Sequence, residues 1–238
     1  MTLPNRIDLP GTAEHTWSSW APLDNLPALN VNTWGDVVVV AAHPDDEVLG
    51  AGGTLAMLAA VGARLRLIAL TDGEASHPEL PPALIARTRI AESARALQAL
   101  GAVQVDVVRL GLPDADLSSR ESEVTALLRV HCSGFDTCLA PWDGDAHADH
   151  EAAGRAARRA CPNVLTYPIW MWHWARPADA LVPWHRACHV PLTADAAARK
   201  REAIGKFASQ LSYRGDQQPV VPPGIVAHFT RRQEVFFR

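Results

Sequence analysis

Two short segments of the sequence combine residue types that bind metal ions. The first, AHPDDE (42–47), places a histidine close to two adjacent aspartates, directly after an apolar run. The second, DAHADH (145–150), has two histidines three positions apart, which on a helical turn project to nearly the same side. Adjacent carboxylates repel each other, and a cation between the two segments would remove that repulsion. The pattern therefore predicts a cation site built from both segments.

Histidine nitrogens and carboxylate oxygens are typical ligands of a catalytic zinc ion, which keeps one coordination position open for water. Such an ion lowers the pKa of its bound water toward roughly 7 and polarises a carbonyl group. A neighbouring carboxylate that does not bind the metal can then act as general base. The sequence has no H-E-x-x-H motif of the zinc peptidases. We therefore predict a zinc-dependent hydrolase of another kind, and the ligand types leave another divalent cation open.

The elements around these segments alternate between strand-like and helix-like patterns. The predicted strands are 36–42, 64–71, 103–111, 136–141 and 163–170, and the predicted helices are 52–63, 81–102, 118–131 and 147–160. Such alternation is typical of an α/β protein with a Rossmann-like, doubly wound and mainly parallel sheet flanked by helices. In a sheet of strand order 3-2-1-4-5, the first and fourth strands are neighbours at the switch point where ligands bind. The two metal-binding segments follow these two strands, so we expect the fold to bring them together.

The rest of the chain is less regular. Residues 1–33 are rich in Pro, Asn, Thr and Trp without periodicity, and we expect them to form an N-terminal arm packed on the domain. Residues 34–238 are expected to form a single catalytic domain, because 238 residues with 48% hydrophobic composition suit one core. The C-terminal part of this domain contains a predicted strand at 186–192 and a predicted helix at 193–211.

Composition restricts the class of partner. The net charge of −4 without a long basic run argues against nucleic acid and anionic membranes, so we expect a small-molecule substrate. The sequence has no run of 18 apolar residues and no signal-peptide pattern, which predicts a cytoplasmic protein without membrane insertion. The oligomeric state stays open, including a homo-oligomer. Four cysteines without a C-x-x-C pair are expected to be isolated buried thiols: Cys132, Cys138, Cys161 and Cys188.

A nucleotide site fits the sequence poorly. The glycines of GAGG (50–53), with Asp72 about twenty residues further on, suggest a dinucleotide fingerprint. That fingerprint needs its glycines in the turn directly after the first strand. The turn holds HPDDE instead, whose carboxylates would repel a diphosphate. We therefore expect the glycines to permit close packing of the first helix on the sheet.

AHPDDE after the first strand and H-x-D-H after the fourth together resemble the PIG-L (LmbE-like) family of zinc-dependent N-deacetylases, over residues 37–167. The resemblance implies an LmbE-like fold. It also implies a hydrolase of linear amide C–N bonds that removes N-acetyl groups from N-acetylglucosamine-type amino-sugar conjugates. Asp45 would be the general base and afterwards the general acid. By position, the resemblance implies that zinc is bound by His43, Asp46 and His150.

Four further residues receive roles from the resemblance. His147 would stabilise the tetrahedral oxyanion, and Asp149 would orient its imidazole. Arg89, in an R-x-x-E helix motif, would face the substrate, although a surface or structural ion pair accounts for the same residue. Asp114, in the acidic loop after the third strand, would hold sugar hydroxyls, and its alternative role is that of a turn residue.

The chain departs from the family pattern at Asp145. Some sugar deacetylases of the family carry a tyrosine at this position, two residues before the first histidine of H-x-D-H. A phenol is therefore not expected to stabilise the oxyanion in this protein. Asp145 would instead lie behind the metal ligands or form a turn.

Aromatic residues are concentrated in TYPIWMWHWARP (166–177), just beyond the fifth strand. Aromatic faces stack well against the apolar faces of sugars, and this segment follows the same edge of the sheet as the metal site. We therefore predict that Trp170, Trp172 and His173 contact the substrate. The alternative is that these rings pack in the core or in a lid.

Two other functions fit the same residues. The protein could hydrolyse a non-sugar amide, such as a thiol conjugate or a natural product, because an aromatic pocket does not distinguish these from sugars. It could also be a metal-binding module without catalysis. A spare carboxylate beside the ligands argues against the second function, since a structural zinc usually has four protein ligands.

Overall fold

The computed structural model describes residues 5–213, 215 and 218–238, and in that part of the chain seven strands form one sheet. The strands are β1 (Val37–Ala41), β2 (Leu65–Ala69), β3 (Asp106–Arg109), β4 (Thr137–Pro141), β5 (Val164–Tyr167), β6 (Ala187–Pro191) and β7 (Gln233–Phe237). Their order is β3-β2-β1-β4-β5-β7-β6. The first five are parallel, whereas β7 is antiparallel to both of its neighbours. The predicted doubly wound, mainly parallel sheet is confirmed.

Helices cover both faces of this sheet. They are α1 (Glu14–Ser18), α2 (Asp46–Ala60), α3 (Pro82–Leu100), α4 (Glu121–His131), α5 (Ala148–Ala160), α6 (Met171–Trp174), α7 (Ala194–Ile204), α8 (Ala208–Leu211) and α9 (Pro223–His228). Successive side chains of β1 point to opposite faces of the sheet, and helices cover both faces, so every residue of β1 is buried. Val37 and Val39 join one apolar cluster, and Val38 and Val40 join the other. The near-continuous apolar run in the sequence is explained by burial on both sides.

Two helices differ from the sequence-based expectation. The first long helix was expected from residue 52, but α2 begins at Asp46, so part of HPDDE forms its first turn. Asp46 and Glu47 suit that position because carboxylates complement the positive end of a helix. The helix predicted at 193–211 is divided, since α7 ends at Ile204 and α8 starts at Ala208. Glycine follows α7 directly, at the point where the first of the two helices stops.

The arm predicted at residues 1–33 is described from residue 5 onward, and it shares its core with the sheet. Trp17 in α1 is fully buried. Its indole N–H donates to the carbonyl of Trp172 at 2.8 Å, and the two rings meet edge to face. Glu14 in the same helix accepts hydrogen bonds from Arg231 and contacts His228 at 2.6 Å. These contacts join the start of the described chain to α6 and to the segment before β7.

The cysteines differ from the expectation of isolated thiols. All four are free and buried. The sulfur atoms of Cys132, Cys138 and Cys161, however, lie within 4.8 Å of one another. Cys132 follows α4, Cys161 follows α5 and Cys138 lies in β4, so packing of the two helices on the strand brings the three together. The prediction of isolation was therefore wrong for these three.

Candidate metal and catalytic site

The HPDDE segment forms the turn between β1 and α2. It leaves the sheet at the carboxyl edge of the parallel strands, where ligands of such sheets bind. Asp45, just before the helix, has φ +145°, a conformation that L residues rarely adopt. This turn separates two adjacent side chains, because the Asp45 carboxylate contacts Arg89 and the Asp46 carboxylate contacts His150. Backbone strain at this position therefore gives neighbouring aspartates different surroundings.

Three side chains surround one point in the crevice at the spacing of metal ligands. His43 Nδ1 and His150 Nε2 lie 3.3 Å apart. Asp46 Oδ2 is 3.6 Å from His43 Nδ1, and Asp46 Oδ1 is 3.3 Å from His150 Nε2. Tetrahedral ligands bound at 2.0–2.1 Å are about 3.3–3.4 Å from one another. The two imidazole nitrogens therefore have the spacing of ligands on one zinc-sized ion, and Asp46 approaches each of them with a different oxygen, so a His/Asp metal site fits these residues.

His147 stands beside this trio as a competing ligand. The ring nitrogens of His43, His147 and His150 lie within 4.8 Å of one another, and His147 stacks on His150 with centroids 4.4 Å apart. Burial and the neighbouring imidazoles lower the pKa of His147 to about 2, so its side chain is neutral. Its Nδ1 is buried and has no hydrogen-bond partner in the described part of the chain. His147 therefore lines the pocket and keeps one ring nitrogen without a hydrogen-bond partner among the described residues.

Asp145 was expected either to lie behind the metal ligands or to form a turn, and the structure places it behind His150. Its carboxylate is 2.8 Å from His150 Nδ1, on the side of the ring away from the predicted metal. The side chain is fully buried and accepts hydrogen bonds from the backbone N–H groups of residues 169–171, at 2.9–3.0 Å. A carboxylate in this position fixes the tautomer and orientation of a ligating imidazole. Asp145 is therefore a support for His150, and it connects that ligand to the start of α6.

The resemblance implied that Asp149 contacts His147. In the structure, Asp149 contacts His43 instead. Its carboxylate is 3.2 Å from His43 Nε2 and accepts hydrogen bonds from two backbone N–H groups of the loop at 115–117. Residues two apart on a helix point in different directions, so Asp149 at the start of α5 turns away from His147. Asp114 joins the same contact, with one oxygen 3.1 Å from His43 Nε2. His43 is thus held by two carboxylates, as His150 is by one.

The two adjacent aspartates have opposite pKa shifts. Burial is the largest influence on both and favours the protonated form. For Asp46 the charges of His150 and His43 outweigh burial and lower the pKa well below its usual range. For Asp45 burial prevails over the attraction of Arg89 and raises the pKa to about 6. A carboxyl group with a pKa near neutrality can both accept and donate a proton, which is what a general base and acid requires.

Arg89 is an internal residue and not a surface ion pair. Its guanidinium donates to the carbonyl oxygens of Gly73 at 3.0 Å and Pro44 at 2.9 Å, and it lies 3.2 Å from the Asp45 carboxylate. The side chain is 4% exposed and lines the same pocket as the predicted ligands. Arg89 therefore holds the HPDDE turn in place. Its predicted contact with the substrate stays a prediction.

The pocket over the predicted ligands has a volume of about 220 Å³. Of the three aromatic-segment residues predicted to contact the substrate, Trp170 lines it. Trp172 is buried against Trp17 of the arm, and His173 contacts the carbonyl of Leu9 at 2.9 Å. The helix α6 turns Trp172 and His173 toward the N-terminal arm and away from this pocket, and their contact with the substrate stays a prediction.

A comparison with protein-family models agrees with the geometry. The model of the family described as PIG-L, GlcNAc-PI de-N-acetylase, matches residues 38–161, which include both motifs and all three predicted ligands. The chain belongs to the PIG-L family.

Named relatives in the PIG-L family act on acetylated amino sugars. The chain is 30% identical over 200 residues to a 1D-myo-inositol 2-acetamido-2-deoxy-alpha-D-glucopyranoside deacetylase of Streptomyces avermitilis, covering 71% of this chain and 66% of that one. It is 30% identical over 124 residues to a diacetylchitobiose deacetylase of Thermococcus kodakarensis, covering 50% and 46%. The chain thus spans about half to two thirds of the length of these curated relatives.

A solved structure shares the PIG-L fold of this chain. The N,N'-diacetylchitobiose deacetylase of Pyrococcus horikoshii matches it with a TM-score of 0.59 and 21% identity, covering 86% of this chain and 82% of the other. At this identity the likeness concerns the fold alone. It confirms the predicted LmbE-like arrangement of sheet and helices.

The C-terminal part of this PIG-L chain contributes pocket residues that the sequence did not reveal. Gln210 in α8 is 1% exposed and lines the pocket, and its carbonyl oxygen has no hydrogen-bond partner among the described residues. Its amide donates to Ser209, whose hydroxyl donates to Glu92 at 2.6 Å. Val220, Val221 and Ile225 form an apolar wall nearby. The signal that could have found Gln210 is the Ser209–Gln210 pair in the predicted helix at 193–211, a segment to which the sequence assigned no chemistry.

Proposed function

We propose that this PIG-L protein is a zinc-dependent N-deacetylase that acts on an N-acetylglucosamine-type amino-sugar conjugate. The observation that carries the proposal is a spare carboxylate beside a metal-ligand trio. Asp45 lines the same pocket as His43, Asp46 and His150, yet it contacts Arg89 and not the ligand nitrogens. A structural metal site needs no such group, whereas amide hydrolysis needs a base.

The proposed reaction uses Asp45 twice. Zinc, when bound, supplies Lewis acidity that makes water nucleophilic near neutral pH and polarises the amide carbonyl. Asp45 takes a proton from the attacking water, and it then gives that proton to the amine that leaves as the C–N bond breaks. Arg89 keeps the carboxylate in place by binding both Asp45 and the Pro44 carbonyl. The products are acetate and the free amine.

We further propose that His147 stabilises the oxyanion. His147 lines the pocket, and its Nδ1 has no hydrogen-bond partner among the described residues, so the imidazole is free to offer an N–H group to the developing negative charge. In this role it acts as a neutral donor without an aspartate behind it. Asp149 and Asp114 act through His43, because both carboxylates face its Nε2.

The amino-sugar substrate is supported by two kinds of observation. The relatives from Streptomyces avermitilis and Thermococcus kodakarensis are named as deacetylases of N-acetylglucosamine-type sugars. In this chain, Trp170 offers an aromatic face, and Gln210 and Asp114 offer acceptors for hydroxyl groups at the same pocket. The apolar wall of Val220 and Ile225 also supports the alternative of a non-sugar amide, since it would suit an apolar acyl or aglycone group.

The proposal is tested with Asp45→Asn, which keeps the size of the side chain and removes its basicity. We expect zinc to stay bound, because Asp45 is not a ligand, and acetate release to fall by about 10²–10⁴-fold. Zinc content is measured by elemental analysis, and acetate release is measured on diacetylchitobiose, on an N-acetylglucosaminyl inositol and on non-sugar N-acetyl amides. The substrate panel decides between the sugar and non-sugar alternatives.

The control is Asp195→Asn, a change of the same type at an exposed surface pair with Arg199. It is expected to keep full activity. Full activity of Asp45→Asn, or no acetate release from any substrate by the zinc-loaded wild type, would contradict the proposal.

No helix in residues 5–213, 215 and 218–238 is long and apolar enough to cross a membrane. The cytoplasmic location and the oligomeric state, including a homo-oligomer, stay predictions. Zinc is preferred for its match to the donor set, and other divalent cations are distinguished by the elemental analysis.

A further inference from the structure

A second group of metal-binding residue types lies at the opposite edge of the sheet. Cys138 is the second residue of β4, whereas the predicted zinc site follows the carboxyl end of that strand. Cys132 follows the last residue of α4, and Cys161 follows the last residue of α5. The three sulfur atoms lie within 4.8 Å of one another. This thiol cluster is therefore separate from the pocket.

The surroundings of the thiol cluster favour a cation. All three cysteines are buried, and none forms a disulfide. Two of them cap the C-termini of α4 and α5, where the helix dipoles place partial negative charge. Hydrogen bonds within the cluster lower the pKa of the Cys161 thiol and raise that of Cys138, so the negative charge of the cluster is concentrated on Cys161. One sulfur is thus prepared to become a thiolate, which is the form that binds metals.

We propose that Cys132, Cys138 and Cys161 form a binding site for a soft, thiophilic cation, of which Cu(I) is the best match. Thiolates select soft ions, and Cu(I) is the soft cation among the common thiolate-bound metals. Zinc in a structural site takes four protein ligands, and in the described residues the group consists of three cysteines without a fourth His, Cys, Asp or Glu. Sulfurs bound at about 2.3 Å lie roughly 4 Å apart, which agrees with the observed limit.

The charges around the thiol cluster and the cleft that leads to it are compatible with Cu(I). Three thiolates with one monovalent cation carry two net negative charges. Arg66 lies close enough to act on the charge of Cys132, and Arg158 lines the same surface cleft as Cys161, so both reduce that excess. The cleft has a volume of about 500 Å³ and gives the ion a route to the Cys161 sulfur. On binding, each thiol releases its proton to solvent and forms one S–Cu bond, without oxidation or reduction.

The experiment is an anaerobic titration of the zinc-loaded protein with Cu(I), in competition with a copper chelator. The readout is the ultraviolet thiolate-to-copper charge-transfer band, which the histidine and aspartate ligands of the other site do not produce. We expect one equivalent of Cu(I) per chain. We expect at least a tenfold loss of affinity in Cys161→Ser and in Cys132→Ser.

The chain offers a matched control in Cys188→Ser, because Cys188 is a buried thiol in β6 outside the cluster. This variant is expected to bind Cu(I) as the wild type does. Circular dichroism and urea unfolding check that each variant is folded, and two single variants are used so that one unfolded variant does not decide the result. Absence of the band in the wild type, its persistence in both cluster variants, or equal loss in Cys188→Ser would overturn the proposal. The result is independent of the deacetylase proposal, since it does not use activity as its readout.

Discussion

Asp45 and Asp46 show how little the residue type alone determines in this site. Both are aspartates, adjacent and buried, yet one is expected to bind the metal and the other to move protons. Asp46 lies between two imidazoles, which favour its charged form. Asp45 contacts Arg89, but burial outweighs the attraction of the neighbouring positive charges and raises its pKa. The separation is produced by the unusual φ of one residue.

At the same scale, Asp145 is expected to control metal affinity without touching the metal. In Asp145→Asn the amide nitrogen replaces one of the oxygens that accept the His150 and backbone N–H groups. Zinc affinity is expected to fall by about 10–100-fold, because His150 loses its fixed orientation. Affinity is measured by competition with a zinc chelator.

The control for this change is Asp143→Asn, two residues earlier, where the carboxylate contacts Arg158 at 3.3 Å. Its zinc affinity is expected to stay unchanged. Equal zinc affinities of Asp145→Asn and the wild type would show that the His150 contact does not support the metal.

At the scale of elements, the position of α2 depends on glycines at its sheet-facing side. A Cβ atom at Gly50 would overlap the ring of Tyr167 in β5, and one at Gly53 would overlap Leu192. The Tyr167 hydroxyl donates to the carbonyl of Val40 at 2.6 Å, so the ring cannot move away easily. The GAGG segment is therefore a packing surface, as expected, and not part of a nucleotide site.

Gly50→Ala is expected to destabilise the protein by about 1–3 kcal/mol, because α2 must move away from the sheet. Zinc affinity is expected to fall as well, since Asp46 starts that helix. Urea unfolding measures the first effect and zinc competition the second.

Gly52→Ala is the matched control in the same helix, where a new Cβ would meet the Val48 side chain at 3.3 Å and the Lys200 side chain at 3.4 Å. We expect stability close to that of the wild type, because the gain in helix propensity of about 1 kcal/mol offsets a mild contact. If Gly50→Ala and Gly52→Ala were equally stable, the close approach of Tyr167 would not explain why position 50 is a glycine.

At the scale of the whole molecule, the N-terminal arm is joined to the C-terminal segment through Glu14. Burial raises the pKa of this carboxyl group, but hydrogen bonds to His228 and Arg231 outweigh burial, and the pKa is lowered from 4.5. A lowered folded-state pKa adds stability above pH 4.5 that is lost as the pH falls through the folded-state value. This contact therefore contributes fully to the free energy of unfolding at neutral pH, and its contribution decreases in acid.

Glu14→Gln is expected to lower the free energy of unfolding by about 1–2 kcal/mol at pH 7. The difference from the wild type is expected to shrink as the pH falls from 4.5 through the lowered folded-state pKa, where the wild-type carboxyl group also becomes neutral. Urea unfolding across this pH range measures both effects. Glu202→Gln, at the exposed pair with Lys206, is the control and is expected to change stability by less than about 0.5 kcal/mol. A pH-independent difference for Glu14→Gln would contradict the electrostatic explanation.

The sequence by itself determined the five parallel strands and the part of the site that follows β1 and β4, whereas β7, which lies between β5 and β6, was not predicted. Apolar runs and helical spacing are local patterns, and strand order follows from connection rules, so His43 and His150 were expected to meet although they are far apart in the chain. Only the tertiary structure decided which carboxylate lies behind which imidazole. Asp149 supports His43, Asp145 supports His150, and Trp172 and His173 turn to the arm.

The same distinction holds for the parts of the molecule that no motif marks. Gln210 reaches the pocket, and Cys132, Cys138 and Cys161 meet, because separate elements pack at particular angles. Spacing along the chain carries information about neighbours within one helix or strand. Contacts between side chains of different elements depend on how those elements pack together, and a single sequence does not encode that packing in any local pattern.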